Sequence, residues 1–267
     1  MLAGVRLVRG AHGDPAIGGL ERLIGRVQRM RGSHRPGGDA GRERDRGLPI
    51  GVRYAGLEEG GVDALAFARN PEAYRHLSLQ FEHREINKIY HAVVDGIHDF
   101  QDTLVEIPIL KLDDGTVTLS RQGKDATTHF TTLEAFRAHT LVECRPVTGR
   151  MHQIRIHLRH LKAPITGDLI YGGRPFLLSE VKRKFNLKKG AEEQPLMRRM
   201  ALHAFRLEFA DLAGNQRVVE APYPKDFRAL VRQLGVNRLD SNSLLRLAYS
   251  RNCTYFCVPF LKGSLIY

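Results

Sequence analysis

The sequence predicts an α+β domain in which strands dominate and helices are interspersed among them. Short runs rich in β-branched and aromatic residues end at turn-forming residues, which is typical of strands. Seven such runs are predicted as strands: 88–94, 103–109, 116–120, 126–133, 140–146, 201–209 and 217–221. Because helices do not alternate regularly with these strands, the pattern favours α+β over a doubly wound sheet.

Three helices complete this expectation. The first, over 70–84, opens with Asn70-Pro71-Glu72, which combines an N-cap, a proline at the first helical position and an early acid. The second is predicted over 151–161 and the third over 227–234. In the second, one side is apolar, with Met151, Ile154, Leu158 and Leu161, and the other carries His152, Arg155 and Arg159.

Charge and composition point to a polyanionic partner. The chain has 267 residues and a formal net charge of +12, which favours nucleic acid through phosphate neutralisation. An acidic membrane surface would attract the same charge. No apolar run is long enough to cross a bilayer, and three cysteines form no even disulfide framework, so we expect a cytoplasmic protein without a membrane anchor.

The two ends of the chain differ in composition from its centre. Residues 1–53 contain eleven Arg and no Lys, are rich in Gly and lack periodicity, so we expect a basic, irregular leader. Residues 54–235 are expected to form the folded domain. Residues 236–267 are expected to be an atypical tail.

The chemistry is concentrated in the stretch Pro146-Val-Thr-Gly-Arg-Met-His-Gln-Ile-Arg-Ile-His-Leu158. Thr148-Gly149 would let the chain leave a strand and enter a helix, so Arg150, His152 and Arg155 should crowd around the helix start. Free backbone N–H groups there favour anions. By spacing alone, a solvated basic helix face is the favoured explanation of the same residues.

These residues also carry a resemblance to RNA pseudouridine synthases of the RluA-like group. Six blocks in the family's order cover roughly residues 56 to 234. The blocks are Lys88-Ile89-Tyr90 with Val94-Asp95-Gly96, Gly123-Lys124-Asp125-Ala126, the stretch from Thr148 to Leu158, Pro164-Ile165 with Gly167-Asp168 and Tyr171-Gly172, Ala201-Leu202-His203-Ala204, and Ala221-Pro222 with Pro224.

The resemblance implies a fold, an activity and a set of site residues. The fold would be a mixed, mostly antiparallel sheet flanked by helices. The protein would act as a monomer and isomerise uridine to pseudouridine in rRNA or tRNA without a cofactor or metal, flipping the target base out of its stack. Tyr90 would pack on the flipped base and Arg155 would pair with the catalytic carboxylate. Arg150, His152, Lys88 and Leu202 would contact the RNA.

One family motif is not retained. The nucleophile of the family lies in H-R-L-D-x-x-T-S-G, and counting back without gaps places that motif over residues 55–63. Only Leu57 matches, and Glu58 stands where the family has its aspartate. A glutamate retains the charge but extends the reach by one methylene, and a displacement of about 1 Å can cost on the order of a hundredfold in rate.

Three explanations of this departure remain open from the sequence. The protein could be a working isomerase that uses Glu58, a catalytically silent RNA-binding relative, or the product of a disturbed reading frame. The lysine-free, Gly- and Arg-rich leader and the tail after Gly235 add support to the third explanation.

Overall fold

The structure is a computed structural model that describes residues 5–8, 64–68, 70–182, 185–187 and 190–237. Within these ranges it contains ten strands and four helices. In chain order they are β1 Val5–Val8, β2 Leu65–Ala68, α1 Pro71–Glu82, β3 Asn87–Asp95, β4 Thr103–Glu106, β5 Ile109–Lys111, β6 Val117–Leu119, β7 Thr127–Ala135, β8 His139–Pro146, α2 Gln153–His160, α3 Leu178–Val181, β9 Leu202–Ala210, β10 Gln216–Glu220 and α4 Lys225–Val236.

A six-stranded sheet forms the centre of the described part of the chain. Its strands lie in the order β10-β9-β3-β8-β7-β4, and every neighbouring pair is antiparallel. Two further antiparallel pairs, β1 with β2 and β5 with β6, lie outside this sheet. The predicted α+β class with a mostly antiparallel sheet is therefore confirmed.

Strand register assigns the side chains of β3 to two faces of this sheet. Tyr90 lies opposite Cys144, which in turn lies opposite Phe130, and Thr128 lies two residues before Phe130. Side chains directly opposite each other, or two apart along a strand, share a face. We call the face with Tyr90, Phe130 and Thr128 the site face, and the face with His91 the aromatic face.

Helix α1 confirms the capping signal read from the sequence. The Asn70 side chain accepts a hydrogen bond from the backbone N–H of Ala73 at 2.8 Å, and Pro71 is the first helical residue. Ala73 and Leu77 are buried, and the Gln80 amide exchanges two hydrogen bonds with the backbone of Ala210 at the end of β9. The helix is thus fixed to the sheet by apolar and polar contacts.

The predicted strand over 103–109 is wrong as a single element. The structure divides this segment into β4 and β5, which belong to different sheets. Pro108 stands between them and has no backbone N–H to donate, so the ladder of β4 cannot continue through it. The short helix α3 was not predicted, because four residues give no readable helical period.

Little of the predicted leader and tail falls within the described residues. Val5–Val8 of the leader forms β1 and pairs with β2. The rest of the leader lies outside the described residues, as does the tail beyond residue 237. No helix in the described ranges is long and apolar enough to cross a membrane.

Candidate active site

The turn between β8 and α2 is the first element of the site. Thr148 is buried, and its hydroxyl accepts a hydrogen bond from the backbone N–H of Thr127 on β7 at 2.9 Å. His152 has a φ of 52°, in the left-handed region, and α2 begins at the next residue. The helix therefore starts two residues later than predicted, and Met151, expected on its apolar side, is 39% exposed.

Gln153 connects this turn to the sheet. Its side-chain oxygen accepts hydrogen bonds from the Thr148 hydroxyl at 2.8 Å and from the Arg150 backbone N–H at 2.9 Å. Its amide nitrogen donates to the Thr127 carbonyl and to the Thr128 hydroxyl, both at 2.9 Å. Because Gln153 is buried, these four bonds fix the start of α2 against β7.

His157 continues the same network one turn later. Its Nδ1 lies 3.0 Å from the Thr128 hydroxyl and its Nε2 lies 3.1 Å from the Ile107 carbonyl. A carbonyl can only accept, so the proton is on Nε2 and Nδ1 accepts from Thr128. Burial lowers the pKa of His157, which favours this neutral form.

Arg155 lies in the middle of α2 and is buried. The alternative of a solvated basic helix face is therefore wrong at this position. Its Nε and Nη2 donate to the two carboxylate oxygens of Asp168, at 2.7 and 2.8 Å. The side chains of Arg155 and Asp168 are 5% and 1% exposed. A bidentate pair of this kind fixes the plane of the guanidinium as well as its position. Arg159, one turn later, is exposed as expected.

Tyr171 lies beside this ion pair. The guanidinium carbon of Arg155 is 4.7 Å from the centre of the Tyr171 ring, within cation–π distance. The Tyr171 oxygen accepts a hydrogen bond from the Val117 N–H at 3.3 Å and lies 2.8 Å from Nδ1 of His152. Burial, and then the charge of Arg155, lower the pKa of His152. A neutral His152 that accepts from Tyr171 carries its proton on Nε2.

The loop that carries Asp168 and Tyr171 requires glycine at both ends. Gly167 has a φ of +83°, a backbone conformation that residues other than glycine rarely adopt. A Cβ at Gly173 would lie 1.8 Å from the carbonyl oxygen of Ile165, so no larger residue fits there. Gly167 is part of the motif that the sequence shares with the family, and its positive φ explains why glycine stands there.

Tyr90, Lys88 and Leu202 lie in or beside the sheet below α2. Tyr90 and Lys88 are two residues apart on β3 and both face the side on which Gln153 and His157 contact Thr128. Leu202 lies opposite Ala92 on that same face, and all three predicted residues are buried. Lys88 Nζ donates to the Val147 carbonyl at 3.4 Å, and burial, followed by the charge of Arg84, lowers the pKa of Lys88 to about 8.

The structure brings some predicted residues together and leaves others apart. His152 and Arg155 meet through Tyr171, whereas Arg150 turns its Nε to the Asp125 carbonyl at 2.9 Å. Glu58, the predicted catalytic carboxylate, lies outside the described residues, so its pairing with Arg155 stays a prediction. The roles of Arg150, His152, Lys88 and Leu202 as RNA contacts stay predictions as well.

Sequence reasoning did not assign roles to Asp168, Tyr171 and Gln153. All three lie in the blocks quoted for the resemblance, so their positions were visible. Their contacts were not: Asp168 is 13 residues from Arg155, a separation that no helical or strand period relates. One feature of the sequence could have suggested the pair: Asp168, between Gly167 and Tyr171, closely follows a helix that is rich in basic residues.

Comparisons with known proteins assign this chain to a family. The model of the RNA pseudouridylate synthase family matches residues 64–160. An RNA pseudouridine synthase of Zymomonas mobilis is 33% identical over 179 residues, which are 65% of this chain and 74% of that protein. The chain belongs to the RNA pseudouridine synthase family. The resemblance to its RluA-like group is confirmed.

Other pseudouridine synthases support the same assignment over different lengths. Ribosomal large subunit pseudouridine synthase D of Xanthomonas campestris is 36% identical over 200 residues, 72% of this chain and 56% of the relative. The chain thus spans little more than half the length of that relative. Human RNA pseudouridylate synthase domain containing 4 shares the fold, with a TM-score of 0.58 at 22% identity over 87% of this chain and 90% of the human one.

Proposed function

We propose that this chain converts uridine to pseudouridine in structured RNA. The observation that carries the proposal is the buried, bidentate Arg155–Asp168 pair, held above the sheet face on which Tyr90 lies. Asp168 fixes the guanidinium of Arg155 in a buried position, and we propose that the guanidinium there also pairs with the catalytic carboxylate. Membership of the family supports the same reaction.

In the proposed reaction the target base leaves its stack and enters the site. The Tyr90 ring packs against the uracil, since aromatic faces suit bases. The carboxylate of Glu58 acts on the nucleoside, and the bond between uracil N1 and the ribose C1′ breaks. The uracil then rotates and its C5 bonds to C1′. The C5 proton is released and N1 takes up a proton from solvent, so the product is an isomer of the substrate. No cofactor enters this scheme.

Asp168 has a positioning role in the proposal. It occupies the edge of Arg155 formed by Nε and Nη2, so a catalytic carboxylate would approach the side that carries Nη1. A guanidinium between two carboxylates would keep the second one ionised and oriented. The same arrangement restricts where that carboxylate can sit, which is why the extra methylene of Glu58 matters.

The substrate we propose is ribosomal or transfer RNA, reached in the cytoplasm by a monomer. The net charge of +12 supports a polyanionic substrate, and the relatives named as ribosomal large subunit pseudouridine synthases support ribosomal RNA. The match with those relatives covers only part of their length, so the choice between the two RNAs depends on experiment.

The test is release of tritium from ribosomal and transfer RNA labelled at uracil C5. We expect release with the native chain, its loss in Glu58→Ala, and little change in the matched control Glu59→Ala. Tyr90→Leu should lower the rate while leaving the fold intact. No release at any enzyme concentration, with RNA still bound, would overturn the proposal and identify a silent RNA-binding relative.

A further inference from the structure

Two adjacent aliphatic side chains are exposed at the tip of the Asp168 loop. Leu169 is 71% exposed and Ile170 is 60% exposed, whereas Asp168 before them and Tyr171 after them are each 2% exposed. Single exposed aliphatic residues are ordinary on protein surfaces. Two adjacent ones between two buried residues, here called the anchors, are unusual. The anchors are the ion-pair partner of Arg155 and the ring that packs on it.

The loop holds these side chains in a fixed place. Its base closes through the bond from the Gly167 N–H to the Arg174 carbonyl at 2.8 Å and from the Gly173 N–H to the Asp168 carbonyl at 2.8 Å. The Asp168 carboxylate also accepts from the Tyr171 N–H at 3.2 Å. The tip is therefore presented without the entropy cost of ordering a flexible loop.

Two exposed cationic residues flank the loop along the chain. Arg174 at the loop base is 73% exposed, although its Nε lies 3.9 Å from an Asp95 carboxylate oxygen, and Lys162 before the loop is exposed. The only acidic residue between them is Asp168, which is buried and paired with Arg155. An apolar tip with a cationic rim matches RNA, in which apolar base faces lie between phosphates.

We infer that Leu169 and Ile170 form an apolar wedge that enters the base stack of folded RNA where the target nucleotide has been flipped out. This inference rests on the proposed function. Flipping leaves two neighbouring bases without a stacking partner, at a cost of a few kcal/mol. Aliphatic side chains that fill the gap reduce this cost, as apolar wedges do when other proteins unstack a base step.

The size of the tip argues for RNA and against a protein partner. A stable protein interface buries about 800 Å² on each side, far more than two side chains on one turn supply. A single gap in a base stack, by contrast, has room for one or two aliphatic side chains. The loop is also continuous with the candidate site through Asp168 and Tyr171.

The test compares two hairpin RNAs that differ only in one abasic position within the stem. Such a gap imitates the stack after flipping and requires no catalysis. The native chain should bind the abasic hairpin more tightly than the intact one. In L169S/I170S this preference should fall by about tenfold, the factor expected from losing roughly one buried aliphatic side chain.

Val218→Ser is the matched control, since Val218 is 53% exposed on β10 at the outer edge of the sheet and should leave the preference unchanged. Equal preference in the native chain and L169S/I170S would overturn the wedge. If L169S/I170S also loses a dimer that the native chain forms on sedimentation, the two side chains are instead a self-association surface. Loss of the preference for the abasic hairpin in L169S/I170S would support the wedge, whatever the tritium release. Tritium release by the native chain tests the isomerase separately.

Discussion

The two faces of the central sheet are built from different chemistry. The site face packs against α2 through buried polar groups. Thr128 belongs to β7, whereas Gln153, Arg155 and His157 come from α2 and Asp168 from the following loop. The aromatic face packs against α4 through rings. His91 stacks on Phe205 at 4.1 Å, and the rings of Tyr223 and Phe227 lie 4.7 Å apart.

The difference separates stability from function within one sheet. A buried ion pair gives little net stability compared with apolar residues of similar shape, because both charges lose their hydration. Ring packing on the aromatic face stabilises the fold directly. An ion pair that adds so little net stability is best explained by what it positions, which on the site face is the guanidinium of Arg155.

The largest effect is expected from Asp168→Ala. It leaves the Arg155 charge buried without its bidentate partner, which costs about 3–5 kcal/mol. Urea unfolding should show this loss, and tritium release from labelled RNA should disappear. A loss below about 1 kcal/mol would mean that the pair behaves as a surface ion pair.

The double variant Arg155→Met with Asp168→Leu sharpens the same comparison. Replacing both charges by apolar residues should restore most of the unfolding free energy, because neither charge of the pair is left buried without the other. It should not restore tritium release. Recovery of both properties would show that the pair is structural only, and would weaken the proposed role of Arg155.

The aromatic face should determine part of the acid sensitivity. Burial, followed by the charge of His203, lowers the pKa of His91 from 6.5 to about 4. The nearby groups are the Tyr223 hydroxyl at 2.5 Å and Glu143 at 4.0 Å. Between the two pKa values the unfolded chain binds a proton that the folded chain does not, so the unfolding free energy falls as pH falls, by about 3 kcal/mol at most.

Urea unfolding at neutral pH and near pH 4 measures this effect. His91→Gln should be less stable at neutral pH and should lose less stability on acidification than the native chain. Some loss should remain, because burial also lowers the pKa of His139 and His157. Identical pH dependence in both chains would contradict a role for His91.

The sequence predicted the regular elements well wherever local pattern decides them. Asn70-Pro71 marked the start of α1, and β-branched runs marked the strands of the sheet. Local pattern failed where one residue interrupts it, as at Pro108, or where backbone geometry delays a helix, as at His152. Helical spacing predicts neither the φ of 52° at His152 nor the exposure of Met151, which lies before the helix instead of on its apolar side.

The candidate site was predictable only in part for a related reason. Spacing placed Arg155 on the side of α2 with the exposed Arg159, yet Arg155 is buried because Asp168 reaches it from a later loop. Such a pairing depends on the three-dimensional path of the chain, which here is set by two close approaches at Gly167 and Gly173. The resemblance located these residues, and the structure supplied their contacts.

The smallest effect is expected from Gln153→Met on the site face. Methionine nearly retains the shape of the side chain but removes the four hydrogen bonds that join the Thr148 turn to β7. Removing Gln153 as the partner of two backbone groups and two threonine hydroxyls should cost about 1–3 kcal/mol in unfolding free energy. The exposed Arg159→Met on the same helix is the matched control and should stay within about 0.5 kcal/mol. If both variants unfold alike, the network does not fix the start of α2, and the contrast between the two faces would rest on the Arg155–Asp168 pair alone.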